Sequence, residues 1–423
     1  MWTKPWSFKE GIVVAIGLVI VGLLLQLSVG PIHWAYVARP VNIILLSVYI
    51  LLLVLVYTLR KKVYAFKWAM SYTAAVPALV ACAIATMIYG ITNWSGTLTC
   101  WPFVLIYIWI TVILGLVSIH RIVHFKWSNI PFLLNHLGLF IAIVAATLGS
   151  ADMHCLRMEV KPDMAEWRAF DTESKKIVEL PLAIQLNRFT LDEYPAKLLI
   201  ADAKGIKWEE AEKGALTGKY ILEMTADSTI YVADKINPEG IIIEDTTNLP
   251  TGIIGDWDIK VEKYYEYCAN PAVDTINYVQ YGYIGATTAA LVRATNTRTN
   301  ESKEGWVSNG SFMFRSSSLW LNENKVIMMP EREPRKYISD VEIYTESGKH
   351  EHGVIEVNKP YNLEGWKIYQ LSYDDSKGRW SDISILELVK DPWLPLVYTG
   401  IYMLIAGAVW MFITADKRKE DNQ

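Results

Sequence analysis

The fold class the sequence predicts is an α-helical membrane bundle of six transmembrane helices, with a large all-β extracytoplasmic domain between helices 5 and 6. Three observations carry this. Six windows are apolar over about the 20 residues that a helix needs to cross a bilayer. Lys and Arg crowd onto one side of those windows. A segment of β-type alternation fills the long gap between the fifth and sixth windows.

The windows are roughly 11–30, 41–59, 70–92, 99–120, 130–150 and 393–414. The chain has 423 residues, 52% of them hydrophobic, and 17 tryptophans, a membrane-protein profile. The first window is too long for a signal-peptide core, and no small-x-small site follows it before Pro31, His33 and Trp34, so it reads as a retained span. Placing the N-terminus inside puts Lys4, Lys9, Arg60, Lys61, Lys62, Lys67, Arg121, Lys126, Lys417, Arg418 and Lys419 in the cytoplasm. The short outer loops then carry Arg39 alone, which sets the orientation. Trp94, Trp101, Trp127 and Trp393 flank span ends as interfacial aromatics.

Four blocks follow: residues 1–65 as a two-helix extension, 66–153 as a three-helix membrane region, 154–391 as the outer β domain, and 392–423 as the last span and tail. Within the outer domain, LAIQLNRFTLDEY, STIYVAD, GIIIED, WDIKVEKYYEY and GVIEVNKPYNLEGWKIYQLSY read as strands. Pro238-Glu239-Gly240 and Ser376-Lys377-Gly378 read as turns between them. Two packed sheets or a β-sandwich is the expected outcome.

Several functions are excluded early. A net charge of −4 gives no basic surface for nucleic acid. Cys82, Cys100, Cys155 and Cys268 form no CxxC pair, so no zinc ribbon, redox dithiol or haem-attachment motif is present. No G-x-S-x-G or H-E-x-x-H occurs in the outer segment, which removes two common hydrolase signatures.

Of seven histidines, His350 and His352 lie in ESGKHEHGVIE and read as a solvated hairpin loop. His120 and His124 share a face at the end of span four and read as interfacial, like His33 beside Trp34. His136 differs. Six residues into span five, it lies roughly 9 Å inside the apolar layer at 1.5 Å per residue. Ionisable groups at that depth are costly and default to a functional reading. Two readings stay open: an axial ligand for haem iron, or a neutral imidazole hydrogen-bonded across a helix interface.

VACAIATMIYG (80–90), FKWSNIPFLLNHLGLFIAIVAATLG (125–149), ADMHCLRM (151–158), ELPLAIQLNRFTLDEYP (179–195) and the region 357–412 together resemble the ResB/CcsB family of cytochrome c biogenesis proteins. The resemblance spans roughly 70–414, with little of 205–335 matching. It implies one half of a System II haem exporter and cytochrome c synthase in the bacterial inner membrane. Both termini would be cytoplasmic and the main domain periplasmic. It further implies that His136 is a transmembrane ligand of transiently bound haem b, paired with a histidine of a CcsA-like haem-lyase subunit. The tryptophan-rich segment of that partner has no equivalent here, the one GDWD (255–258) lying in the β domain, so catalysis would sit on the partner. Apocytochrome c, a thiol-reducing thioredoxin-like protein and the lipid bilayer complete the implied partners.

His154 and Cys155, just beyond span five, are the secondary candidates for touching haem or a thiol. The plainer reading is an interfacial histidine and a structural cysteine, bonded to Cys268 or free. The competing function is a membrane-anchored, receptor-like protein whose β domain binds another protein.

The topology makes a direct prediction. A reporter enzyme that works only outside the cytoplasm should be active when fused at residue 300. Activity there of a cytoplasm-only reporter would refute the orientation.

Overall fold

A computed structural model describes residues 2–92, 99–207, 220–225, 229–271 and 275–420. Trp94 lies outside them, as do the side chains of Lys417, Arg418 and Lys419. The chain divides into two units: 1–154 with 390–423, and 155–389.

The first unit contains six helices long and apolar enough to cross a membrane. They are α1 (Phe8–Val29), α2 (Val41–Leu59), α4 (Tyr72–Thr92), α5 (Trp101–Val123), α6 (Ile130–Gly149) and α7 (Leu394–Glu420), with a short α3 (Tyr64–Trp68) between the second and the third of these. Ser7 and Glu10 start α1 with a capping box: the Ser7 backbone N–H donates to Glu10 at 2.8 Å, and the Ser7 hydroxyl caps the first turn. α5 is the most enclosed helix, burying Ile106, Ile110, Ile113, Leu114 and Leu116.

The tightest pairing is α6 on α7. A Cβ added to Gly138 would sit 2.6 Å from the Gly400 carbonyl, and one on Gly407 would sit 2.7 Å from the Pro131 carbonyl. Only residues without side chains allow backbones this close, the small-residue device of helix pairs in lipid. The same pair is fastened at its other end. The Asp152 carboxylate accepts from the Trp393 indole at 2.6 Å, the Asn42 amide at 2.9 Å and the Arg39 backbone N–H at 2.8 Å. The Arg39 guanidinium adds a 3.0 Å ion pair. Trp393, expected at an interface, is instead buried, because its indole is a donor that this carboxylate needs.

The second unit is β throughout, as expected, but it is not two simple sheets. An eight-stranded sheet runs β15 (His350–Glu356), β14 (Pro334–Thr345), β3 (Ile177–Glu193), β2 (Glu166–Asp171), β1 (His154–Val160), β18 (Ser384–Lys390), β17 (Trp366–Tyr373) and β16 (Tyr361–Leu363). Its end strands meet: Gly353 of β15 faces the Tyr361 ring of β16, and the Tyr361 hydroxyl donates to Glu351 at 2.7 Å. The curled sheet encloses one core that includes Leu156, Met158, Ile184, Val341, Ile368 and Leu386.

Residues between β3 and β14 build two further sheets. One runs β11 (Ser302–Ser308), β10 (Thr287–Asn296), β8 (Trp257–Ala269) and β7 (Thr251–Ile254), with β9 (Val279–Gln280) also on β8. The other runs β12 (Leu319–Trp320), β13 (Lys325–Met328), β4 (Ala196–Lys207), β6 (Thr229–Ile243) and β5 (Ile221–Met224). They share a core around Leu198, Ile243, Trp257, Ile259, Val292 and Ile327.

One turn expectation is corrected here, while the other segment does connect two strands, β17 and β18. Pro238-Glu239-Gly240 lies inside β6, where the pairing with β4 slips and absorbs the proline as a bulge. Ser376-Lys377-Gly378 lies in a 3₁₀ segment, Asp375–Trp380, which Gly378 interrupts at φ +54°.

The helix pairing yields a stability test. Gly138→Ala should lower the thermal stability of the detergent-solubilised protein by roughly 1–3 kcal/mol, the usual cost of overpacking. Gly17→Ala, where an added Cβ meets nothing within 4 Å, should be neutral. Equal melting behaviour of the two variants would contradict the close contact.

Candidate functional site

Pro131 sits in the first turn of α6, and the helix then carries His136 to the same level as the end of the antiparallel α5. The His136 ring stacks on Phe132, one turn back, with centroids 3.8 Å apart and an 18° tilt. Its Nδ1 lies 3.0 Å from the Phe132 carbonyl oxygen. A carbonyl only accepts, so Nδ1 carries the proton and the lone pair of a neutral ring falls on Nε2. No described residue donates to Nε2. This is the arrangement in which an imidazole is oriented through one nitrogen and offers the other to a metal.

His136 opens into a cleft of about 350 Å³ between α4, α5 and α6. Tyr72, Leu79, Val117, His120 and Arg121 are among its walls. The Arg121 guanidinium lies 4.7 Å from the centre of the Phe132 ring and donates to the Asn129 side chain at 3.1 Å. His120 faces the Tyr57 hydroxyl at 3.2 Å and has the His124 ring at 4.5 Å. The sequence reads His120 as interfacial and Arg121 as cytoplasmic, and neither reading places them on the wall of the His136 cleft. The signal was present: only six residues, 124–129, separate α5 from α6, so the end of one helix must lie beside the start of the next.

The other α6 face is occupied. Gly138 and the Asn135 backbone press against α7, so α6 presents His136 on one side while the other is locked.

The remaining candidates are not gathered at this cleft. His154 is exposed at the start of β1. Cys155 donates its thiol to Glu387 of β18 at 3.3 Å; burial first, then the Glu387 hydrogen bond and charge, push its pKa up. Cys155 and Cys268 are both free thiols, so no disulfide joins them. Cys268 is fully enclosed, and burial pushes its pKa to about 12. His350 and His352 lie in strand β15 rather than a loop, because each ring has a carboxylate partner on β14: Glu342 at 2.7 Å and Asp340 at 2.9 Å. Among the described residues, no cluster of three or more His, Cys, Asp or Glu side chains forms a metal site.

One more cluster marks the β unit. Glu193, at the end of β3, is clasped by Arg379 and lies 3.6 Å from Arg332, which also reaches Glu266 of β8 at 3.2 Å. Burial raises the Glu193 pKa against the pull of both arginines. The cluster ties the curled sheet to the inserted ones, and Arg332 also donates to the Tyr194 backbone carbonyl at 2.8 Å.

Fold and cleft together define a class: a helical unit of membrane-length spans with an inward-facing histidine, interrupted in sequence by a large β unit. The sequence model of the ResB-like family matches residues 126–382, more than half of the chain. The chain belongs to the ResB-like family, which is associated with cytochrome c biogenesis. No curated protein matches it. The matched range starts just before α6 and holds His136, His154 and Cys155, while α1–α5 and α7 lie outside it.

The thiol environment gives a test. Glu387→Gln removes the charge that raises the Cys155 pKa, so more thiolate exists at pH 8 and alkylation should speed up severalfold, read by peptide mass spectrometry. Cys268 should remain unmodified in both proteins. An unchanged or slower Cys155 rate would show that Glu387 does not hold the thiol protonated.

Proposed function

We propose that this protein is the haem-handling subunit of a System II cytochrome c synthase in the bacterial inner membrane. In this reading six helices cross the bilayer, both termini are cytoplasmic and the β unit is periplasmic. The observation that carries the proposal is the His136 imidazole, with Nδ1–H committed to the Phe132 carbonyl and Nε2 open to an apolar cleft. A neutral nitrogen donor at membrane depth suits haem iron, a ligand at home in apolar, aromatic surroundings.

The cargo is haem b, held transiently. Its chemistry is supplied by the vinyl groups: each cysteine S–H of apocytochrome c adds across a vinyl double bond, forming a C–S bond with no net redox change. Both thiols must be reduced beforehand, which calls for a thioredoxin-like thiol reductant. This chain's residues bind and orient. His136 holds iron, the walls of α4 and α5 exclude water, and Phe132 fixes the ring plane. His154 is a secondary candidate for contact with departing haem. Cys155, kept as a thiol, would serve at most as a neutral contact and not as a nucleophile.

The cleft, about 350 Å³, is at the small end of ligand pockets. A tetrapyrrole would be only partly covered by it, which supports a second subunit closing the site and giving the other axial ligand. A CcsA-like haem lyase is that partner in this proposal, and it carries the catalytic residues.

His136→Ala tests the reading in the co-expressed complex. Alanine keeps the helix and its insertion. The complex should assemble, lose most of its Soret absorbance and stop maturing cytochrome c, and added imidazole should partly restore both. Full haem content and activity in this variant would make His136 a packing residue.

A further inference from the structure

We propose that Arg121 selects the carboxylate-bearing edge of the ligand held at His136, and so fixes which edge of a haem points out of the cleft. The inference rests on the haem reading of that cleft and adds a second recognition point to it.

A guanidinium has five N–H donors. Arg121 spends one, on the neutral Asn129 oxygen, and its flat face on Phe132. No carboxylate pairs with it among the described residues, although it sits half-buried on the wall of an otherwise largely apolar cleft. Two other cations of the helical unit are differently engaged: Arg60 donates to the Tyr57 carbonyl at 2.6 Å and stacks on its ring, and Lys4 lies over Tyr64. Arg121 and His136 are held by the same aromatic ring, which keeps the free donors and the free Nε2 in one frame.

A ligand that satisfies both is mostly apolar and planar, takes an imidazole nitrogen at its centre and carries carboxylates at one edge. Charge-assisted bonds to a guanidinium gain strength where water is excluded. Arg121 is two residues from the end of α5, whereas His136 is six residues into α6, so the cation is nearer the helix ends than the imidazole. Haem b has its propionates and its vinyls on opposite edges. Propionates drawn to Arg121 leave the vinyls directed away from that end of the bundle, toward the side where thiol addition has to occur.

The test uses the co-expressed complex in phosphatidylcholine nanodiscs, with and without phosphatidylglycerol, titrated with haem b and with its dimethyl ester. The wild type should prefer the diacid about tenfold, the effect of one good charge-assisted pair. Arg121→Gln should bring the ratio close to one with ester affinity unchanged, and Arg121→Lys should keep most of the preference. A wild-type protein that binds both forms equally overturns the inference without any variant. So does an Arg121→Gln protein with the wild-type ratio, or one that loses only co-purified phosphatidylglycerol, which would make Arg121 a lipid-phosphate anchor. Failure of the haem reading looks different: His136→Ala would then bind haem as the wild type does, whatever the ratio.

Discussion

The close approach of α6 and α7 is the constraint on which the helical unit depends. Three glycines, Gly138, Gly400 and Gly407, bring the two backbones within reach of each other's carbonyls. Between apolar helices in lipid there is no hydrophobic gain from association, so dispersion at short range and a few polar contacts must hold the pair. The buried Asp152 carboxylate supplies the polar part, binding α7 through Trp393 and the start of α2 through Asn42 and Arg39. A charge so enclosed is tolerable because every contact to it is a donor. Two kinds of contact, one steric and one electrostatic, thus fix the register of α6 at both ends.

Register decides what α6 shows on its other face. Residues 100° apart around a helix point differently, so locking Asn135 and Gly138 against α7 turns His136 toward α4 and α5. Phe132 then sets the ring by stacking and by its carbonyl, leaving one nitrogen available. The β unit has its own clasp in Glu193, Arg332 and Arg379, where the inserted sheets join the curled one. Each unit therefore spends its buried charges on architecture, and Arg121 stands apart as a half-buried cation with no described carboxylate.

Much of this was legible in the sequence. Span positions follow from length and hydropathy, and all six agree with helices of the structure. Strand content followed from alternation, which is clear in β3, where buried positions recur every second residue from Leu182 to Leu186. His136 stood out because polar atoms in apolar runs are expensive. What stayed hidden depends on pairing between distant segments. Trp393 resembles an interfacial anchor until Asp152, 241 residues earlier, is placed beside it. The curl of the eight-stranded sheet depends on β15 meeting β16, and the proline in β6 is tolerated through a bulge that only the register with β4 reveals. His350 and His352 passed for a loop because their carboxylate partners lie across a hairpin.

His136 Nε2 is proposed here as an iron ligand. This is tested most directly by a structure of the haem-loaded complex, with iron located by its anomalous scattering or by its density. The predicted result is iron within bonding distance of His136 Nε2, with Nδ1 still on the Phe132 carbonyl. Iron held entirely by other residues, with His136 unligated in its cleft, would contradict it.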